Sequence, residues 1–127
     1  MLRRLPWIAG PEESAAGPVL VSVTDYTAHR WSDVPGIVLS GLRLRRTWPR
    51  MRGAVGLWLW SDPLRRRSGS ISVWTSEEAL RRFVRWPVHI AIVRKYRSRG
   101  ALTVDSWQAE RFSRSDVLRE ASQRLAR

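Results

Sequence analysis

The chain has 127 residues, with 23 basic and 11 acidic side chains, eight Trp, two His and no Cys. That length holds one domain with a modest core, and zero cysteines exclude a disulfide scaffold, a thiolate metal site, an iron–sulfur cluster and a cysteine nucleophile. No apolar run approaches the roughly 20 residues of a membrane span, and Met1–Gly10 lacks a signal peptide's apolar region, so a cytoplasmic protein with no membrane partner is expected.

The formal charge of +12 and a pI near 11.8 are the electrostatic footprint of a nucleic-acid binder. Lys95 is the only lysine, however, and the arginines are spread along the chain in short runs. Charge alone leaves the partner open.

Residues 1–18 carry Pro6, Gly10, Pro11 and Gly17 without a usable period and read as an irregular leader. Val19–Tyr26 (VLVSVTDY) is β-branched and alternating, a first strand. Ser32 and Asp33 offer N-cap oxygens before a helix with Pro35 in its first turn, and Ile37, Gly41, Leu44 and Trp48 recur at helical spacing. Ala54–Ser61 is a second strand, apolar on both parities: Val55, Leu57 and Leu59 face one way, Trp58 and Trp60 the other. It belongs to a sheet covered on both sides. Ser70–Thr75 pairs with it as a hairpin. Thr75 or Ser76 caps the next helix, and Pro87 breaks it near Trp86. A second helical piece runs to about Arg97, a fourth strand covers Leu102–Ala109, and Ser113 or Ser115 caps a C-terminal helix.

Strand, helix, strand, strand, helix, strand is the ferredoxin-like split βαβ order: an α+β domain over 19–112, with a four-stranded antiparallel sheet and helices on one face. Residues 113–127 form a separate C-terminal helix. The face left without helices would expose a large apolar patch, so two chains are expected to pair face to face as a homodimer.

Ser72-Val73-Trp74-Thr75-Ser76-Glu77-Glu78-Ala79-Leu80-Arg81-Arg82-Phe83, followed by His89, carries a resemblance to known proteins. A strand ending in Trp, then Ser-Glu-Glu-Ala opening a helix and a later His, resembles the dimeric α/β-barrel superfamily. Within it, the antibiotic-biosynthesis monooxygenase-like proteins and the relatives of spheroidene monooxygenase are similar. Val21–Thr24, Arg30, Trp31 and Gly53–Asp62 are also similar to that second group. The resemblance implies a pocket between sheet and helices and a dimer across the other sheet face. It also implies an activity drawn from cofactor-free oxygenases, haem-dependent enzymes or polyketide cyclases.

Within that frame His89 is the candidate catalytic base. On a helix starting near Val88 it shares an apolar face with Ile92, Val93 and Tyr96. The alternative is a buried His satisfied by a backbone carbonyl. Tyr96 would stand on the same pocket wall. Asp25 and Tyr26 end the first strand on opposite faces, and whichever meets the helices could bind a polar substrate group; Asp25 joins His89 and Tyr96 as a catalytic candidate, and Tyr26 is a candidate substrate contact. Arg30 and Arg50 could neutralise a carboxylate, phenolate or haem propionate. Trp58, Trp74 and Trp86 could line a slot for a flat ligand or simply fill the core.

No phosphate-binding loop, nucleophile elbow or metal-ligand spacing is present, and His29 with His89 is too little for zinc. The expected activity is monooxygenase-like, on an aromatic, polyketide-like or otherwise apolar metabolite. No cofactor is expected, with haem on His89 as the variation. A cyclase or isomerase on the same base, or a basic nucleic-acid-binding module, are the alternatives. The nucleic-acid reading is disfavoured because SISVWT lacks the aromatic signature of RNA-binding sheets.

Overall fold

The structure, a computed structural model, describes residues 3–126. Residues 1, 2 and 127 of the expected leader and C-terminal segment lie outside it. In chain order the elements are β1 (Arg3–Arg4), β2 (Ile8–Ala9), β3 (Val19–Ala28), α1 (Val34–Thr47), β4 (Ala54–Asp62), β5 (Arg67–Trp74), α2 (Glu77–Arg85), α3 (Pro87–Tyr96), β6 (Gly100–Ala109) and α4 (Arg114–Leu125). The four long strands lie in the order β4-β5-β3-β6, all antiparallel, which is the ferredoxin-like arrangement.

The local reading holds at most element ends. Ser76 caps α2, its side chain accepting from the Ala79 N–H at 3.1 Å, and Ser113 caps α4 in the same way. Pro87 begins a new helix because it cannot donate back into α2. Asp33 precedes α1, but its side chain makes no cap bond and pairs with Arg99 instead.

Three expectations change. The segment before Val19 is not wholly irregular. Arg3 and Arg4 pair with Ser61 and Trp60, and Ile8 and Ala9 pair with Leu57 and Gly56, so β1 and β2 cover the outer edge of β4. The anchor is Trp7, whose ring lies 4.3 Å from Trp58 and 5.3 Å from Phe112. Next, a register shift between Ala54 and Gly56 moves Val55 onto the Trp58 face, away from Leu57 and Leu59. One bulged residue reverses a side-chain alternation, and nothing in the apolar string AVGLWLW marks it.

The third change concerns the sheet faces. Helices α1, α2 and α3 cover one face, where Leu20, Leu57 and Trp74 pack with Trp48 and Ala79. Helix α4 does not stand apart: its Val117, Ala121 and Leu125 are buried on the opposite face against Val21, Ile71 and Val73, among others. The face expected to be bare is therefore covered by the chain itself, and the argument for a homodimer through it is removed. An ion-pair network holds α4 there. Arg67 donates to both Asp25 oxygens, at 3.2 and 2.7 Å, and to the Leu125 carbonyl at 3.0 Å. Arg124 meanwhile bonds Asp105 and Glu120.

Candidate functional site

The helix-bearing face of the sheet combines small hydroxyls with one large ring. Ser22 and Ser72 are opposite one another in register, as are Thr24 and Ser70, whose hydroxyls lie 2.8 Å apart. The buried Trp74 indole donates to the Ser72 hydroxyl at 2.9 Å. Above it, Trp74, Trp48 and Phe83 form a triangle of rings with centroids 5.2 to 5.4 Å apart. The Trp48 indole N–H is buried with no protein hydrogen-bond partner, so this packed cluster contains one unused donor.

Between that face and α2 runs a groove of about 470 Å³, within the size range of small-molecule sites. Leu20 of β3 and Ser106, Trp107 and Gln108 of β6 form one side. The other side is a stripe of α2: Glu77, Leu80, Arg81, Val84 and Arg85. Leu20, Leu80 and Val84 supply apolar surface. Arg81 pairs with Glu77, while Arg85, Ser106 and Gln108 add polar groups.

His89 does not line this groove, yet it is bonded to a residue that does. Its Nδ1 lies 3.2 Å from the Val84 carbonyl, and its ring stands 4.5 Å from that of Phe83, at the back of the aromatic triangle. A carbonyl can only accept, so Nδ1 carries the proton and the neutral ring keeps its free lone pair on Nε2. Burial lowers the His89 pKa from its ordinary value, partly opposed by the Val84 bond. The cation is thus disfavoured in the folded state, and protonation favours unfolding. His89 should stabilise the fold fully above its unfolded pKa of ~6.5 and progressively less as pH falls through that value. Thermal melts between pH ~5 and ~7 should show the parent losing more stability on acidification than His89→Gln, whose amide can still donate to Val84.

The other candidate residues fall into three groups. Tyr26 and Tyr96 meet: the Tyr26 hydroxyl donates to the Tyr96 carbonyl at 2.7 Å, and the rings form an edge contact with centroids 6.5 Å apart. Tyr96 is buried with its hydroxyl against Gly36 of α1, so the pair pins α3 to β3 and α1. Asp25 and Trp58 lie on the opposite face, one in the Arg67 ion pair and the other under Trp7. Asp25 as a catalytic group and Trp58 as a substrate wall are therefore corrected to anchors of α4 and of the N-terminal segment. Their strand parity points away from α1–α3. Arg30 and Arg50 are exposed in loops and reach no common site, and Trp86 is half-buried at the α2–α3 break, 6.4 Å from Phe83.

The resemblance implies a pocket between sheet and helices, but the residues that line this groove were missed from sequence. Its signal is the spacing of Glu77, Leu80, Arg81, Val84 and Arg85 at i, i+3, i+4, i+7 and i+8, one face of α2. That face mixes apolar and charged residues, so an apolar stripe alone does not reveal it.

No family model and no curated protein match the sequence. Solved structures match in three dimensions. A ferredoxin-fold protein from Listeria monocytogenes, related to antibiotic-biosynthesis monooxygenases, superposes with TM-score 0.65 at 18% identity, covering 87% of this chain and 65% of that one. SnoaB, a cofactor-independent oxygenase from Streptomyces nogalater, gives 0.58 at 17%, over 76% of this chain and 97% of that one. LmHde, a haem-degrading enzyme from Listeria monocytogenes, gives 0.58 at 19%, over 81% and 68%. This chain has their fold. It spans half the length of another match, a candidate monooxygenase from Lactobacillus acidophilus. The Trp–Ser-Glu-Glu-Ala resemblance thus agrees with the fold, six strands being present where four were expected. Among the described residues no helix is long and apolar enough to cross a membrane, and no three His, Asp or Glu side chains gather as metal ligands.

Proposed function

We propose that the chain is a small cytoplasmic monooxygenase-like enzyme acting on an aromatic, polyketide-like or other apolar metabolite. The ligand would lie in the groove between β6 and α2, and the His89 Nε2 would act as the base. The observation that carries this reading is the groove itself, on the helix-bearing face of a fold shared with a cofactor-independent oxygenase. The held tautomer and depressed pKa of His89 support its part, because such a ring is neutral and has one lone pair to offer near pH 7. His89 reaches the ligand only where the ligand passes the Val84 end of the groove.

Chemically, His89 removes a proton from a methylene activated by neighbouring rings or carbonyls. The carbanion then gives its electrons to dioxygen, and a peroxide forms at that carbon. Loss of water leaves a carbonyl: the CH2 becomes C=O, one oxygen atom enters product and the other leaves as water. No external reductant is needed, because the substrate carbon is oxidised.

A cyclase or isomerase would use the same base without consuming oxygen, so an oxygen electrode separates the two. Haem held by His89 would need the same access at the Val84 end of the groove that the base needs, and a Soret band after haem titration would mark it. An RNA-binding sheet needs exposed aromatics on an open face, whereas here β3, β4 and β5 are buried or half-buried and the exposed strand β6 carries one aromatic, the half-buried Trp107.

The test is turnover with a panel of anthrone- and naphthol-like substrates. Val84→Trp, which fills the groove from a solvent-facing position, is expected to abolish activity with little loss of stability. His89→Gln is expected to lower kcat by at least about 100-fold, and the acid limb of the parent's pH profile should lie below pH ~6.5. Undiminished kcat in His89→Gln would remove the base assignment; undiminished turnover in Val84→Trp would remove the groove.

A further inference from the structure

The end of the sheet opposite the groove gathers protruding apolar side chains among arginines. The β4–β5 hairpin turns through Pro63–Arg65, and Leu64 at its apex is 83% exposed. Beside it the β3–α1 loop presents Trp31, 53% exposed. The two loops are tied together. The Ala28 N–H donates to the Arg66 carbonyl at 3.0 Å, and the Arg66 Nε donates to the Ala28 carbonyl at 2.9 Å. The Arg66 guanidinium lies 5.6 Å from the Trp31 ring centroid. The His29 N–H donates to the Arg99 carbonyl, adding the α3–β6 loop, and β1 sets Arg3 opposite Ser61. Arg3, Arg30, Arg65, Arg97 and Arg99 are exposed here. The acids at this end are Asp33, paired with Arg99, and Asp62, buried 3.9 Å from Arg65.

We propose that this end docks on an anionic lipid bilayer, with Leu64 and Trp31 entering the boundary between headgroups and acyl chains and the arginines meeting the phosphates. Cationic loops carrying one aliphatic and one indole side chain at their tips match both layers of such a surface. A nucleic acid would satisfy the cations equally, but it offers no apolar phase for Leu64. Sequence alone points to no membrane partner because a span shows as an apolar run, and two loop-tip side chains leave none. The inference is independent of what the groove binds.

Co-sedimentation of the intact chain with vesicles tests it, using phosphatidylcholine alone or mixed with phosphatidylglycerol, at ~0.1 and ~0.5 M salt. Binding is expected only with phosphatidylglycerol. Leu64→Ser with Trp31→Ser, which leaves the net charge at +12, should weaken it about tenfold or more. Arg30→Glu with Arg65→Glu should do the same at the lower salt. Leu64→Ser alone should weaken binding severalfold while keeping the parent's melting temperature. Equal binding by the Leu64/Trp31 double variant would overturn the proposal, leaving bulk charge as the cause. So would the absence of binding to either vesicle, or tighter binding to single-stranded RNA through these same residues.

Discussion

A chain ending at Phe112 is expected to lose its cooperative unfolding transition and to self-associate. Removing α4 uncovers the sheet face that carries Val21, Val23, Ile71 and Val73, all buried in the intact chain. The helix contributes Val117, Ala121 and Leu125 to that layer, and the loss of their burial costs about 5 kcal/mol, comparable with the whole stability of a small domain. Light scattering coupled to gel filtration should show oligomers where the intact chain, run beside it, gives its own reference mass. Ala121→Asp is the gentler form. It keeps the helix but drives a carboxylate into the fully buried contact, at a cost of about 3 to 5 kcal/mol in urea melts. A truncated chain with the parent's mass and midpoint would show that α4 does not hold this face.

Gly69→Ala is expected to be nearly as damaging, although it adds a single methyl group. Gly69 sits between Trp60 on β4 and Asp25 on β3, and the Trp60 indole reaches across it to donate to the Thr24 carbonyl at 3.1 Å. A Cβ at Gly69 would run into that carbonyl and into the indole nitrogen. Trp60 would have to leave its pocket and the strands would have to separate, at a cost of about 3 kcal/mol or more. Ser68→Ala, one position away and without a side-chain bond to lose, should cost less than about 1 kcal/mol. Equal midpoints for the two variants would refute the account of Gly69.

How far the sequence speaks follows from which interactions are periodic. The long strands and the α2–α3 break are legible because alternation, Ser76 and Pro87 act on their own neighbourhood. Apolar spacing also shows that Val117, Ala121 and Leu125 share one side of a helix. It does not show which sheet face receives that side, because the docking depends on Arg67 meeting Asp25 and the last helical carbonyl, partners far apart in the chain. The same limit governs the candidate site. The Trp74 parity beside Ser70 and Ser72 was readable, as was a carbonyl partner for His89. The lining of the groove was not, because it arises from the distance between α2 and β6. Asp25 and Tyr26 differ by one position and so face opposite ways, but only the packed helices decide which of them meets α1–α3.

The joint between Trp7, Glu13 and Arg114 sets the order in which the molecule can be finished. Trp7 donates to Glu13 at 2.7 Å, Arg114 donates to the same carboxylate at 3.0 Å, and the Arg114 guanidinium lies 5.0 Å from the Trp7 ring centroid. On a ribosome β1 and β2 emerge before the rest of the domain, yet their clasp includes Arg114, 101 positions after Glu13. Until α4 clears the exit tunnel, β1 and β2 have the edge of β4 and the Trp7 contacts but not the Arg114 clasp, and the face that α4 covers stays open to other nascent chains. The strands at the front of this domain are thus among its last parts to be secured.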